Sequence, residues 1–107
     1  MPLILSVTTL CPDHATAAEI ADTLLARRLV ACANIHAPCE SRYHWQGAVQ
    51  RDTEIPLVLK TRPDLADAVQ AAICALHPYD VPAILCHDER VNADYTDWVA
   101  QETAQTG

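Results

Sequence analysis

The chain opens on a short apolar, β-branched run, LILSVTT at 3–9. It reads as a strand stopped by Cys11-Pro12-Asp13, because proline has no amide hydrogen for a central strand and aspartate suits a helix N-cap. The period then lengthens from two to 3.6. In HATAAEIADTLLARRL, residues 14–29, Ala17, Ile20, Ala21, Leu24 and Leu25 recur on one helical face, and Arg27 and Arg28 sit near the end that favours positive charge. Strand character returns in VACANIHA (30–37), bends at Pro38, and continues through CESRYHWQ (39–46) to Gly47, the predicted turn of a long hairpin. In the return strand AVQRDTEIPLVLKT (48–61), Val49, Ile55, Leu57 and Leu59 share one parity while Asp52, Glu54 and Lys60 share the other. Pro56 removes a ladder donor, which predicts an edge or a bulge there.

A second helix begins around Pro63 and carries Leu65, Ala68, Val69, Ala72, Ile73 and Leu76 as an apolar stripe ending at His77. Pro78 forces His77 out of the helical region, and Pro82 stiffens the entry to a fourth strand, VPAILCH (81–87). The tail NADYTDWVAQETA (92–104) places Tyr95, Trp98 and Val99 on one face behind a capping-type Asn92, predicting a short third helix. The order β-α-β-β-α-β plus a short C-terminal helix is that of an α+β, ferredoxin-like split βαβ sandwich: one domain over 1–107, with two helices on one face of an antiparallel sheet. No helix is assigned to the other face, and the hairpin around Tyr43 and Trp45 is longer than two helices can cover. Both features predict self-association.

Composition narrows the function. Seven basic residues against fourteen acidic give a net charge of −7, so clustered positive charge for a nucleic-acid partner is lacking. No run reaches the length of a membrane span, and the N-terminus has no secretory pattern, so the expected location is cytoplasmic and no membrane partner is expected. The five cysteines are odd in number, irregularly spaced and without a C-x-x-C pair, which fits reduced, packed thiols better than a disulfide scaffold or zinc ribbon. The loop TTLCPDHAT has neither the glycine nor the arginine of an anion-cradling enzyme loop. Nothing in the chain points to catalytic turnover, so the expectation is a protein that is not an enzyme.

The chain has candidate chemistry of its own. Glu54 and Lys60 share the polar parity of one strand, as an acid/base pair or as structural ion-pair and hydrogen-bond partners, with Asn34 able to orient either arrangement. Tyr43, Trp45, Tyr79 and Trp98 are scarce aromatics in a chain without phenylalanine, suited to anchoring an interface or lining a cleft. Cys86 and His87 are adjacent on a predicted strand and so point to opposite faces, poorly placed to share an ion.

CAN at 32–34, YHWQG at 43–47, Glu54, LKT at 59–61, HPYDVP at 77–82 and YTDW at 95–98 together resemble the CutA family, the divalent-cation tolerance proteins. The resemblance runs in order over nearly the whole chain. It implies a homotrimer whose long hairpin reaches neighbouring subunits, a part in metal-ion tolerance, and copper or another divalent ion as ligand, with no organic cofactor. Copper-binding relatives carry a Cys at the end of the first strand and a doubled His before Pro-Tyr. Thr9 and Leu76 stand at those places here, leaving His77, with Cys11 two residues away, as the metal candidates. The trimeric plan also resembles the PII-like sensors, which implies an alternative: a small metabolite read at the intersubunit cleft by Asn34, Tyr43, Trp45, Glu54, Lys60, His77, Tyr79 and Trp98. A non-catalytic trimeric interaction protein is the third possibility.

Overall fold

The computed structural model describes residues 2–104. Its elements are β1 (Leu3–Cys11), α1 (His14–Ala26), β2 (Cys32–Ile35), β3 (Cys39–Trp45), β4 (Ala48–Thr61), a 3-10 turn (Pro63–Leu65), α2 (Ala66–Leu76), β5 (Ile84–Arg90) and α3 (Ala93–Glu102). All pairings are antiparallel, and the sheet runs β2-β4-β1-β5, with β3 also on β4. This is the ferredoxin-like sandwich expected from the element order.

The odd-numbered residues of β1 and β4 build the core face: Leu5, Val7, Thr9 and Cys11 lie opposite Thr61, Leu59, Leu57 and Ile55, and all are buried. Ala17, Ile20, Ala21 and Leu24 of α1 and Val69, Ala72 and Ile73 of α2 close over them. Each fully buried Leu, Ile or Val contributes roughly 1.5–3 kcal/mol relative to exposure. The first strand runs two residues beyond the predicted 3–9, because Cys11 still pairs with Ile55 before Pro12 ends the ladder. Asp13 caps α1 as expected, accepting the Thr16 N–H at 2.7 Å.

α1 stops at Ala26, three residues short of the predicted end at 29. Arg28 adopts φ 57°, the Leu29 N–H bonds the Leu24 carbonyl and the Arg28 N–H bonds the Leu25 carbonyl, both at 3.0 Å. This reversal turns Leu29 back into the core. A left-handed arginine costs about 1–2 kcal/mol. Its guanidinium offsets that by donating to the Glu102 carboxylate (2.8 Å) and carbonyl (3.2 Å), while the Ala104 N–H bonds the Arg28 carbonyl. The C-terminal segment is thereby tied to the end of α1.

The sheet face left without a helix in the sequence reading is partly covered. α3 lies against β1 and β4, and Tyr95 reaches Cys32, which shares this face with its ladder partner Lys60. Ile4, on the same face, and Val99 are each 1% exposed, outside the main core. Toward the hairpin the face stays open.

Pro56 lies in the central strand, opposite Leu10 of β1, and it also sits at a bulge. β2 pairing ends at Ile35 with Leu57 and β3 pairing begins at Cys39 with Glu54, so His36, Ala37 and Pro38 face only Ile55 and Pro56. The Pro56 carbonyl accepts the His36 N–H at 2.9 Å. Its missing donor points to the same side, where the ladder is already interrupted. Beyond Ile55, β4 leaves β1 and continues with β3 as a two-stranded arm. The arm makes the molecule long: its principal extents are 45 × 26 × 22 Å and its radius of gyration is 14.5 Å, against about 13 Å expected for a compact chain of this length.

The arm closes at Gln46 (φ 50°) and Gly47 (φ 81°), the two positive-φ positions of a type I′ hairpin turn. Nothing lies within 4 Å of a Cβ placed on Gly47, so Gly47→Ala should cost only the left-handed penalty, about 1 kcal/mol. Urea denaturation should show that loss with an unchanged slope; an unaltered midpoint would refute this description of the turn.

Candidate functional site

Two elements that end differently create the site. α2 is terminated by Pro78, which holds His77 extended (φ −76°, ψ 135°). The His77 ring then hangs under the following loop, 7% exposed. The Leu10 carbonyl can only accept, so His77 Nε2 carries the hydrogen and donates to it at 2.8 Å. The Tyr79 N–H can only donate, so Nδ1 is bare and accepts it at 3.2 Å. These partners specify one neutral tautomer and engage both ring nitrogens. The Tyr79 ring packs on the imidazole, with centroids 4.6 Å apart, and the loop is pinned to the end of β1.

Above it, the Tyr79 hydroxyl donates to Glu54 Oε2 at 2.9 Å. Glu54 is only 5% exposed although it lies on the polar parity of β4, at the point where β1 stops and the arm begins. Burial, then the bond to Glu54 and its charge, push the Tyr79 phenol well above the usual range. On the arm, the Tyr43 hydroxyl donates to Asp52, which raises the Tyr43 pKa as well. Between arm and loop runs an open groove of about 590 Å³, walled by Tyr43, Trp45, Tyr79, Leu10 and Val81, with Glu54 among its lining residues. Ser41, Arg42, Asp80 and Ala83 complete it. Strand parity had implicated Glu54, and the scarcity of aromatics had implicated Tyr43, Trp45 and Tyr79. Asp80 and Val81 lie within the HPYDVP stretch, but Leu10 carried no signal in the sequence.

The remaining pocket candidates lie elsewhere. Lys60 Nζ donates to Asn34 Oδ1 at 2.9 Å, and the Cys32 thiol approaches the same oxygen at 3.6 Å. Trp98 stacks on Tyr95 of α3, with centroids 5.6 Å apart. Glu54 and Lys60 are six positions apart on β4, about 20 Å at 3.3 Å per residue, too far to act as one acid/base pair. The eight pocket residues therefore lie in three places. Tyr43, Trp45, Glu54 and Tyr79 gather at the groove with His77 beneath, while Asn34 and Lys60 form one cluster and Trp98 lies on α3.

A copper ion held by Cys11 and His77 would need the thiolate of one and a free imidazole lone pair on the other. The Cys11 thiol is fully buried, and burial first, then the Asp13 and Glu54 charges, push it up to about 11, away from thiolate character. His77 has no uncommitted nitrogen. Among the described residues no three His, Cys, Asp or Glu side chains group as a metal-ligand set. Cys86 and His87 pair with Val7 and Ser6, on opposite faces, and His87 bonds Glu89 at 2.8 Å. Within one chain, Cys11 and His77 do not fit a copper ion.

The family profile described as CutA1 divalent ion tolerance protein matches residues 5–102. The chain belongs to this family. It is 44% identical over 98 residues to the divalent-cation tolerance protein CutA of Pyrococcus horikoshii, covering 91% of this chain and 95% of that protein. The mouse Protein CutA is 34% identical over 94 residues, and the chain spans about half of it (53%). Among solved family members, CutA1 from Ehrlichia chaffeensis superposes with TM-score 0.90 at 37% identity, covering 95% of this chain and 96% of that one. The periplasmic divalent cation tolerance protein CutA from Archaeoglobus fulgidus gives 0.89 at 30%, covering 92% and 97%.

Tyr79→Phe deprives the buried Glu54 carboxylate of its donor and should cost about 1–3 kcal/mol of stability; equal urea midpoints for wild type and variant would contradict the bond. The raised Cys11 pKa has a defined sign. The folded state keeps the proton longer than the unfolded chain, so its contribution is complete below pH 9.0 and is lost as pH rises toward about 11. Stability measured from pH 8 to 11 should fall less steeply in Cys11→Ala than in wild type, and parallel curves would refute it. In native protein, alkylation should reach the exposed Cys74 and Cys86 before the buried Cys11.

Proposed function

We propose that this protein serves divalent-cation tolerance as a non-catalytic homotrimer in the cytoplasm, recognising a small ligand at the groove between the arm and the 77–83 loop. The role in metal-ion response follows the family. The recognition reading is carried by one observation: a buried carboxylate, Glu54, held by the Tyr79 hydroxyl within an aromatic-walled groove of about 590 Å³, within the range of small-molecule pockets. Self-association is supported by the arm, which exposes Val49 and, among the described residues, leaves both its edges unpaired past β1. The number three comes from the family resemblance. A reducing compartment suits five unpaired cysteines.

A second reading, direct capture of a divalent ion, is favoured by the net charge of −7 and by the Glu54 and Asp52 carboxylates beside the arm. Oxygen donors of this kind suit harder ions than copper. The solution mass of metal-free protein should equal three 11.7-kDa chains, and a monomer would sink the proposed assembly. Calorimetric titration with copper and zinc should then show no saturable site. Tight binding at one ion per chain would transfer the function to direct metal capture.

A further inference from the structure

We propose that the groove beside the arm receives a small organic cation, a primary ammonium or guanidinium carried on a compact apolar or aromatic body. The inference rests on the groove being the ligand cleft, and it names the class of ligand. The walls are the rings of Tyr43, Trp45 and Tyr79 with Leu10 and Val81. Such ring faces attract a cation through their negative quadrupole and accept an apolar body without polar cost. Glu54, largely withdrawn from water, is a lining carboxylate whose Oε2 accepts a hydrogen bond from the Tyr79 hydroxyl. A carboxylate accepts more than one donor, and charge-assisted bonds to an ammonium are among the strongest it makes.

The polarity of the groove excludes the other charge. Both tyrosines direct their phenol protons at carboxylates, Tyr43 at Asp52 and Tyr79 at Glu54, so they offer an incoming group ring faces and oxygen lone pairs. Arg42 is the one basic lining residue, and its guanidinium is held by Glu40 at 3.1 Å. An anion would meet Glu54 and Asp80 with little to neutralise them. A bare divalent ion would find the His77 nitrogens engaged, while an organic cation needs no such lone pair.

The test uses the full chain in its native assembly and three probes of one shape: phenethylamine, 2-phenylethanol and phenylacetate, followed by calorimetry and tryptophan fluorescence. The amine should bind at one per chain, about tenfold or more tighter than the alcohol, and phenylacetate weaker still. Glu54→Gln should erase the preference for amine over alcohol. Trp45→Ala, a substitution at an exposed residue that leaves the core intact, should weaken the amine and provides the check if Glu54→Gln fails to fold. Alcohol or phenylacetate binding as tightly as the amine, with Trp45 emission changed, would overturn the cationic class and leave the cleft standing. No response to any probe, or binding indifferent to Trp45→Ala, would overturn the cleft and the inference together.

Discussion

One strand has to satisfy three partners, and the rest of the molecule is arranged around that requirement. Ala48–Thr61 pairs with β3 over its first half and with both β1 and β2 over its second. Fourteen residues of strand extend about 46 Å at 3.3 Å per residue, which matches the 45 Å long axis of the molecule. α1 and α2 cover only the half flanked by β1. The other half therefore projects as an arm with two open edges, and Pro56 sits at the changeover, where a lost donor interrupts nothing.

Glu54 lies beside that changeover, and its position explains why folding and recognition involve the same residues. A carboxylate withdrawn from water is costly unless hydrogen bonds replace its hydration. Tyr79 supplies one, and Tyr79 is delivered there by a loop that His77 anchors to the Leu10 carbonyl. The anchor works only with the neutral ring in one tautomer. An imidazole committed in this way is a structural pin, so the HPYDVP stretch, whose prolines end a helix and aim a loop, shapes the groove, and His77, also a metal candidate in the sequence, is held as part of that loop. Releasing His77 to a metal ion would loosen the loop that positions Tyr79.

The other polar cluster of the open face stands apart from this machinery. Lys60, Asn34 and Cys32 lie where α3 crosses the sheet, and the Ser6 hydroxyl, opposite Lys60 in the ladder, is buried with no hydrogen-bond partner among the described residues. Tyr95 reaches the same place. The Arg28–Glu102 ion pair and the backbone bond from Ala104 to Arg28 hold the end of α3. The left-handed Arg28 thus links the stop of the first helix to the cover of the opposite face.

Local chemistry makes much of the fold legible in the sequence. Period, proline position and turn residues identify the three helices, the strands with their bend at Pro38, the turn at Gly47, the Asp13 cap and the extended His77, because each depends on a few neighbouring residues. The family was legible for the same reason, being carried by short motifs in a fixed order. What a local pattern cannot encode is where along a face two distant segments land. Parity placed Glu54 and Lys60 on one face, but the bulge and ladder register send one to the groove and the other to α3. The stop of α1 at Ala26 is made by a left-handed Arg28, whose side-chain partner Glu102 lies 74 residues away. The sequence by itself thus determined which elements form and which faces are apolar, since these follow from spacing and backbone preference. Only the tertiary structure decided that Tyr79 meets Glu54 and that His77 is spent on Leu10, because those contacts exist only once register and loop path bring distant residues together.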